Sequence, residues 1–184
     1  MKGYLRKPFG FTGVMLLSLL CAGCAAGVKG TPGMKLYSAG DYQQAVPLLL
    51  EEVAAGEVSA RYPLGLAYRD GNVVEPDPEK AEVLLTGAAI GGDPRAVEEI
   101  RRMLRSDQRC LRDKELHDHW GSLVMHRNLI TGIYELNNAP RAVLREMAEI
   151  YANPCPGRPV QPEAAKSLMA LSSGARRIWI YVPG

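Results

Sequence analysis

Aromatic residues are scarce in this chain, at 7% of 184 positions, so a packed interior has to be built from Ala, Leu, Val and Met. A surplus of one charge sign is also missing. The net charge is +2, and residues 1–23 carry Lys2, Arg6 and Lys7 with no acid, so the chain without them stands at −1. That balance excludes an electrostatic nucleic-acid binder, which needs clustered excess Lys and Arg. There is no Gly-rich phosphate loop and no Gly-flanked nucleophile elbow. The apolar run over residues 14–20 is too short for a membrane span, which takes about 20 residues. What is plentiful is apolar and charged side chains, 47% and 23%, the mixture of a packed protein and not of a disordered one. The length fits one domain or one short repeat array.

The N-terminus reads as an address. Lys2, Arg6 and Lys7 form a positive head, residues 14–20 an apolar core, and Ala22-Gly23 the small residues of a cleavage site, so residues 1–23 are expected to be an export signal. Cys21-Ala22-Gly23-Cys24 resembles the bacterial lipobox, with Cys21 where Leu is usual. The resemblance implies that Cys24 becomes the lipidated first residue; a plain secretory cleavage is the alternative. Three acyl chains burying methylenes at about 0.8 kcal/mol each make a permanent anchor. Ala25 after the cysteine implies, by the same resemblance, an outer-membrane destination, with the body on its periplasmic face. Residues 24–33 form a short tether. Cys110 and Cys155 are then left in an oxidising compartment, where one disulfide is the simplest outcome. Closing that loop stabilises by about 4 kcal/mol. Two buried free thiols are the alternative, and a metal site a weaker one.

A period of 36 residues organises the middle of the chain. Ala45, Leu48, Leu49, Gly56 and Ala60 recur as Ala81, Leu84, Leu85, Gly92 and Ala96, the period of helix-pair solenoids. Asp77-Pro78 reads as a cap followed by a helix start. Ala81, Leu84, Leu85, Ala88 and Ala89 form one helical stripe, Gly91-Gly92 ends it, and Asp93-Pro94 repeats the start. The earlier helix bears Ala60, Leu64, Ala67 and Tyr68, with Gly65 admitting a neighbour, Gly71 as a stop, and Pro63 pushing the start late. The string from Ala60 through Leu64-Gly65, Tyr68, Gly71, Asp77, Lys80-Ala81, Ala88-Ala89 and Gly92 to Ala96 resembles a Sel-one-like repeat, a relative of the tetratricopeptide repeat. The likeness covers residues 34–105. It implies an all-α fold, a short α-α solenoid whose groove binds protein partners, with no catalytic machinery to carry over.

Residues 106–175 read as a degenerate helical region. Helices are expected over 96–105, 115–135, 142–151 and 162–171, with a polar loop over 106–114 holding Cys110. Residues 176–184 read as an extended apolar tail, either capping the array or adding to a partner's sheet edge.

Catalytic chemistry is sparse. His117 and His119, two apart on a helix, point about 200° away from one another and cannot chelate together; His126 is two turns from His119. A solvated polar face is the expected reading, and no metal or cofactor is implied. The carboxylate pairs Glu51-Glu52, Glu98-Glu99 and Asp77/Glu79 fit helix surfaces. The expected partner-binding residues are Tyr42 and Tyr62, which lie off the repeat signature, and Arg61 and Arg69, eight apart; Tyr68 belongs to the core. The functional expectation is a non-enzymatic, lipid-anchored adaptor serving an envelope complex, such as one for exopolysaccharide or protein secretion. The rival classes are a cell-wall or β-lactam-related enzyme and a toxin-neutralising lipoprotein.

Overall fold

Asp41 and Asp77, 36 residues apart, both cap thirteen-residue helices, accepting the backbone N–H of Gln44 at 3.3 Å and of Lys80 at 2.9 Å. The helices they start, α2 (Tyr42–Ala54) and α4 (Pro78–Ile90), lie in the same register of the repeat. Each is followed by a left-handed glycine, Gly56 at φ 89° and Gly92 at φ 97°, a conformation glycine adopts without the Cβ clash. The computed structural model describes residues 30–127, 134–137 and 139–174. The expected export signal, Cys24 and the 176–184 tail lie outside the described residues.

The described chain is helical apart from one short ribbon, as an all-α class requires. α1 (Pro32–Ser38) begins inside the segment read as tether and packs on α2. A 3-10 turn at Val58–Ala60 leads into α3 (Arg61–Asp70), which packs on α4. α3 starts at Arg61, one residue after Ala60, in line with the late start expected from Pro63. Pro63 falls in its first turn, where an N–H has no helical partner to lose. Gly65 is where α3 and α4 meet, and a Cβ there would stand 2.9 Å from Leu85 Cγ. α5 (Pro94–Ser106), α6 (Leu111–Ser122), α7 (Arg141–Ala152) and α8 (Pro162–Ser172) follow, each packing on the one before. α8 also returns to pack on α4.

Two apolar clusters result. Ala45, Val46, Leu49, Val53, Ala60, Leu64 and Ala67 fill the first helix pairs. A larger cluster draws on α4 to α8, with Leu85, Ile100, Leu104, Trp120, Met147 and Leu168 at its centre. Aliphatic side chains and small alanines at helix contacts do most of the filling, as the shortage of aromatics requires, with Trp120 and Tyr151 the buried aromatic members. Trp120 Nε1 donates to the Tyr151 hydroxyl at 2.8 Å, in full burial. Burial holds the Tyr151 phenol far above its ordinary pKa, outweighing the hydrogen bonds from Thr86 and Trp120, which lower it.

The helix expected over 115–135 requires correction. α6 ends at Ser122, Leu123 is already extended at φ −75°, ψ 130°, and β1 (Val124–Arg127) pairs antiparallel with β2 (Tyr134–Asn137), Val124 opposite Asn137 and Arg127 opposite Tyr134. Gly121 and Ser122 are weak helix formers, and Ser122 Oγ donates to the His119 carbonyl at 2.8 Å, a local bond that competes with helix continuation. The polar loop before α6 is correspondingly shorter than expected, since α6 starts at Leu111. No helix among the described residues is long and apolar enough to cross a membrane.

Candidate functional site

Helices α3 and α5 join their outward side chains into one connected surface. The Arg95 guanidinium lies over the Tyr62 ring at 4.3 Å, and Asp93 holds it at 2.8 Å. Two turns further along α3 and one along α5, Arg69 Nη1 reaches Glu99 of α5 at 2.6 Å, while its Nε and Nη2 take both oxygens of Asp70 at 2.6 and 2.8 Å. Glu99 accepts from Arg102 as well. The Asp70 hydrogen bonds, with Glu99 behind them, hold Arg69 firmly in its charged form. Burial, aided by the Glu99 charge, raises the Tyr62 phenol. Tyr62 and Arg69 thus stand together, half-covered and oriented, at positions whose residue types dominate protein-binding hot spots.

The other two expected binding residues lie elsewhere. Tyr42, 36% exposed, belongs to the first helix pair, where it packs on Tyr37 with ring centroids 4.8 Å apart. Arg61 must be corrected outright, because it is 0% exposed. Its guanidinium lies against Gly87 of α4, where a Cβ would stand 3.1 Å from Nη1. Eight residues of helix leave about 80° between Arg61 and Arg69, enough to turn one inward and the other outward. Burial lowers the Arg61 pKa. Tyr68 is half-buried against the first cluster, with Lys80 Nζ 5.2 Å from its ring centre.

A second assembly carries no local sequence signal. Arg158, three residues past Cys155 in Pro156-Gly157-Arg158, places Nη1 2.8 Å from Glu82 of α4 and Nε 2.8 Å from Asp113 of α6. All three side chains are nearly or fully buried. Gln161 Nε2 supports Glu82 at 3.3 Å, and the Arg109 backbone N–H supports Asp113 at 2.7 Å. Burial raises the Glu82 carboxyl above its ordinary pKa in spite of Arg158. Cys110 and Cys155 form the expected disulfide across the same seam, with Cα atoms 5.9 Å apart. The only hints in sequence were the two cysteines themselves.

Beside this seam, a cleft of about 590 Å³ opens between α6 and α7, lined by Arg112, Glu115, His119, Glu146, Glu149, Ile150 and Asn153. Here the expectation of a solvated histidine face is only partly met. The His119 side chain is 20% exposed and its Nε2 faces Glu146 at 3.2 Å. His117 is 18% exposed, with Nδ1 3.0 Å from Asp118. The His126 side chain lies outside the described residues. Among the described residues no group of three or more His, Cys, Asp or Glu side chains is arranged to hold a metal ion. No protein-family model matches the chain, and comparison with curated proteins and with solved structures found no match.

Proposed function

We propose that this protein is a lipid-anchored adaptor on the periplasmic face of the outer membrane, a short solenoid of helix pairs that holds a protein partner against the α3–α5 surface. The observation that carries the reading is the cross-helix network in which Arg95 stacks on Tyr62 and Arg69 pairs with Glu99. It presents an aromatic ring and several guanidinium groups in fixed positions, so little side-chain entropy is lost on docking. The equivalent caps at Asp41 and Asp77 and the equivalent turns at Gly56 and Gly92 support stacked repeat units, with α6 and the β1–β2 ribbon as an insertion before the closing pair α7–α8. Lipid at Cys24 confines the adaptor to a surface and raises the effective concentration of its partner. An envelope assembly, such as an exopolysaccharide or secretion complex, is the setting this reading favours.

The test is a crosslinked pull-down from membranes with wild type, Cys24→Ala and the double variant Tyr62→Ala/Arg69→Ala. The adaptor reading expects one discrete partner. It is lost in the double variant, whose fold is monitored by circular dichroism, and recovered in lower yield with Cys24→Ala. Turnover of peptidoglycan fragments or a β-lactam by the purified protein, with no partner lost in the double variant, would replace it with the enzyme reading.

A further inference from the structure

The two half-cystines sit in unlike surroundings. Cys155 is 2% exposed, whereas Cys110 is exposed and forms the N-cap position of the twelve-residue helix α6. Arg109 and Arg112 flank it, Arg109 paired with Asp107 at 2.8 Å, and Asp113, three residues on, is engaged by Arg158. The seam is also fastened without the bridge. Arg112 donates to the Asn153 carbonyl at 2.7 Å, Arg109 donates to the Gly157 carbonyl, and Arg158 binds the Asp107 carbonyl as well as Glu82 and Asp113. Arg112 and Asn153 are at the same time wall residues of the α6–α7 cleft. The bridge therefore ties the rim of a cleft whose walls have other means of staying folded.

We propose that the Cys110–Cys155 disulfide is a reversible redox latch on the α6–α7 cleft, opened by a protein dithiol of the thioredoxin class and closed by a disulfide oxidant. In opening, a reductant thiolate attacks Sγ of Cys110, the accessible side, and forms a mixed disulfide there. The Cys155 sulfur leaves with the bond electrons and takes a proton. The second reductant thiolate then attacks its own partner sulfur in the mixed disulfide and expels the Cys110 thiolate at the α6 N-terminus. Two electrons pass from the dithiol, which becomes a disulfide, and this chain is left with two reduced cysteines. Accessibility of the attacked sulfur governs such exchange, which places the mixed disulfide on Cys110. With the latch open, the Arg109 and Arg158 contacts keep the helices in place while the single Arg112–Asn153 hydrogen bond, no longer backed by the bridge, is left to open at the cleft rim.

The test uses the full chain, equilibrated with oxidised and reduced dithiothreitol and, separately, with a thioredoxin-class protein lacking its resolving cysteine. Peptide mass spectrometry after differential alkylation locates each thiol, and hydrogen exchange reports on the helices. The latch predicts an unchanged far-UV spectrum on reduction. Exchange should rise at least tenfold over residues 107–115 and 149–158, and not over α2 and α3, and the mixed disulfide should be trapped on Cys110. The double variant Cys110→Ser/Cys155→Ser should show the open pattern in the absence of any reductant. Loss of the helical spectrum on reduction, exchange unchanged at the cleft, or trapping on Cys155 would each overturn the proposal.

Discussion

Replacing Arg158 with Met deletes the single cation between two buried carboxylates, and the consequence follows from its geometry. Glu82 and Asp113 lie 2.8 Å from separate nitrogens of that guanidinium, with side chains 10% and 2% exposed. Breaking a buried pair by removing one partner costs about 3–5 kcal/mol, because the stranded charge keeps its desolvation penalty. Two stranded carboxylates place this variant at the upper end of that range at pH 7. The pH dependence has a definite sign. Burial already raises the Glu82 carboxyl above its unfolded value, so the folded state holds this proton more tightly than the unfolded chain does. The stability this provides is present below the unfolded pKa and is lost as pH rises through the folded one. Without Arg158 the folded pKa climbs further, so the defect should shrink as pH falls from 7 toward 5. Urea titrations followed by far-UV circular dichroism at both pH values measure this directly, and Glu82→Gln added to Arg158→Met should recover part of the loss. A deficit below about 1 kcal/mol, or one that does not vary with pH, would refute the claim that these charges are buried and mutually dependent.

Other expectations concern the repeat and its core. Gly56→Ala and Gly92→Ala, each forcing a side chain to positive φ, should both lower stability by about 1–2 kcal/mol, and urea midpoints should agree closely between them because the two positions are equivalent in the repeat. Val73 is a β-branched residue held at φ 71° and 44% exposed; Val73→Asn should raise stability by about 1 kcal/mol through relief of that strain, visible as a higher melting temperature. Tyr151→Phe leaves the buried Trp120 N–H without its 2.8 Å acceptor and should cost about 1–3 kcal/mol, with a change in the near-UV tryptophan signal.

The regular half of the fold was legible because its information is local and repeated. Ala45 and Ala81, Leu49 and Leu85, and the capping aspartates stand 36 residues apart, and α2 and α4 begin and end on that same shift. The disulfide was legible from a count of cysteines once residues 21 and 24 were assigned to export and lipidation. Elsewhere the decisive contacts join distant positions. Glu82 and Arg158 are 76 residues apart, and nothing near either one announces the other. Arg61 was misplaced because an arginine on a helix is ordinarily a surface residue; the available clue was Gly87, a gap in α4 large enough to receive it. The turn out of α6 was hidden because Leu123, Val124 and Leu129 continue a helical spacing that Gly121 and Ser122 interrupt. At the candidate surface, residue type and position single out Tyr62 and Arg69, whereas their contacts with Arg95 and Glu99 depend on α5 lying beside α3.

The central claim is that the α3–α5 surface of a tethered helix-pair protein holds a protein partner. Its most direct test is site-specific photo-crosslinking in intact cells, with the reactive side chain placed at position 62 and, as a control, at the exposed position 43 of α2. A single adduct of defined mass from position 62, absent from position 43 and abolished by Arg69→Ala in a chain that still folds, is the predicted result. Equal labelling from both positions, or an adduct from position 62 that persists without Arg69, would contradict it.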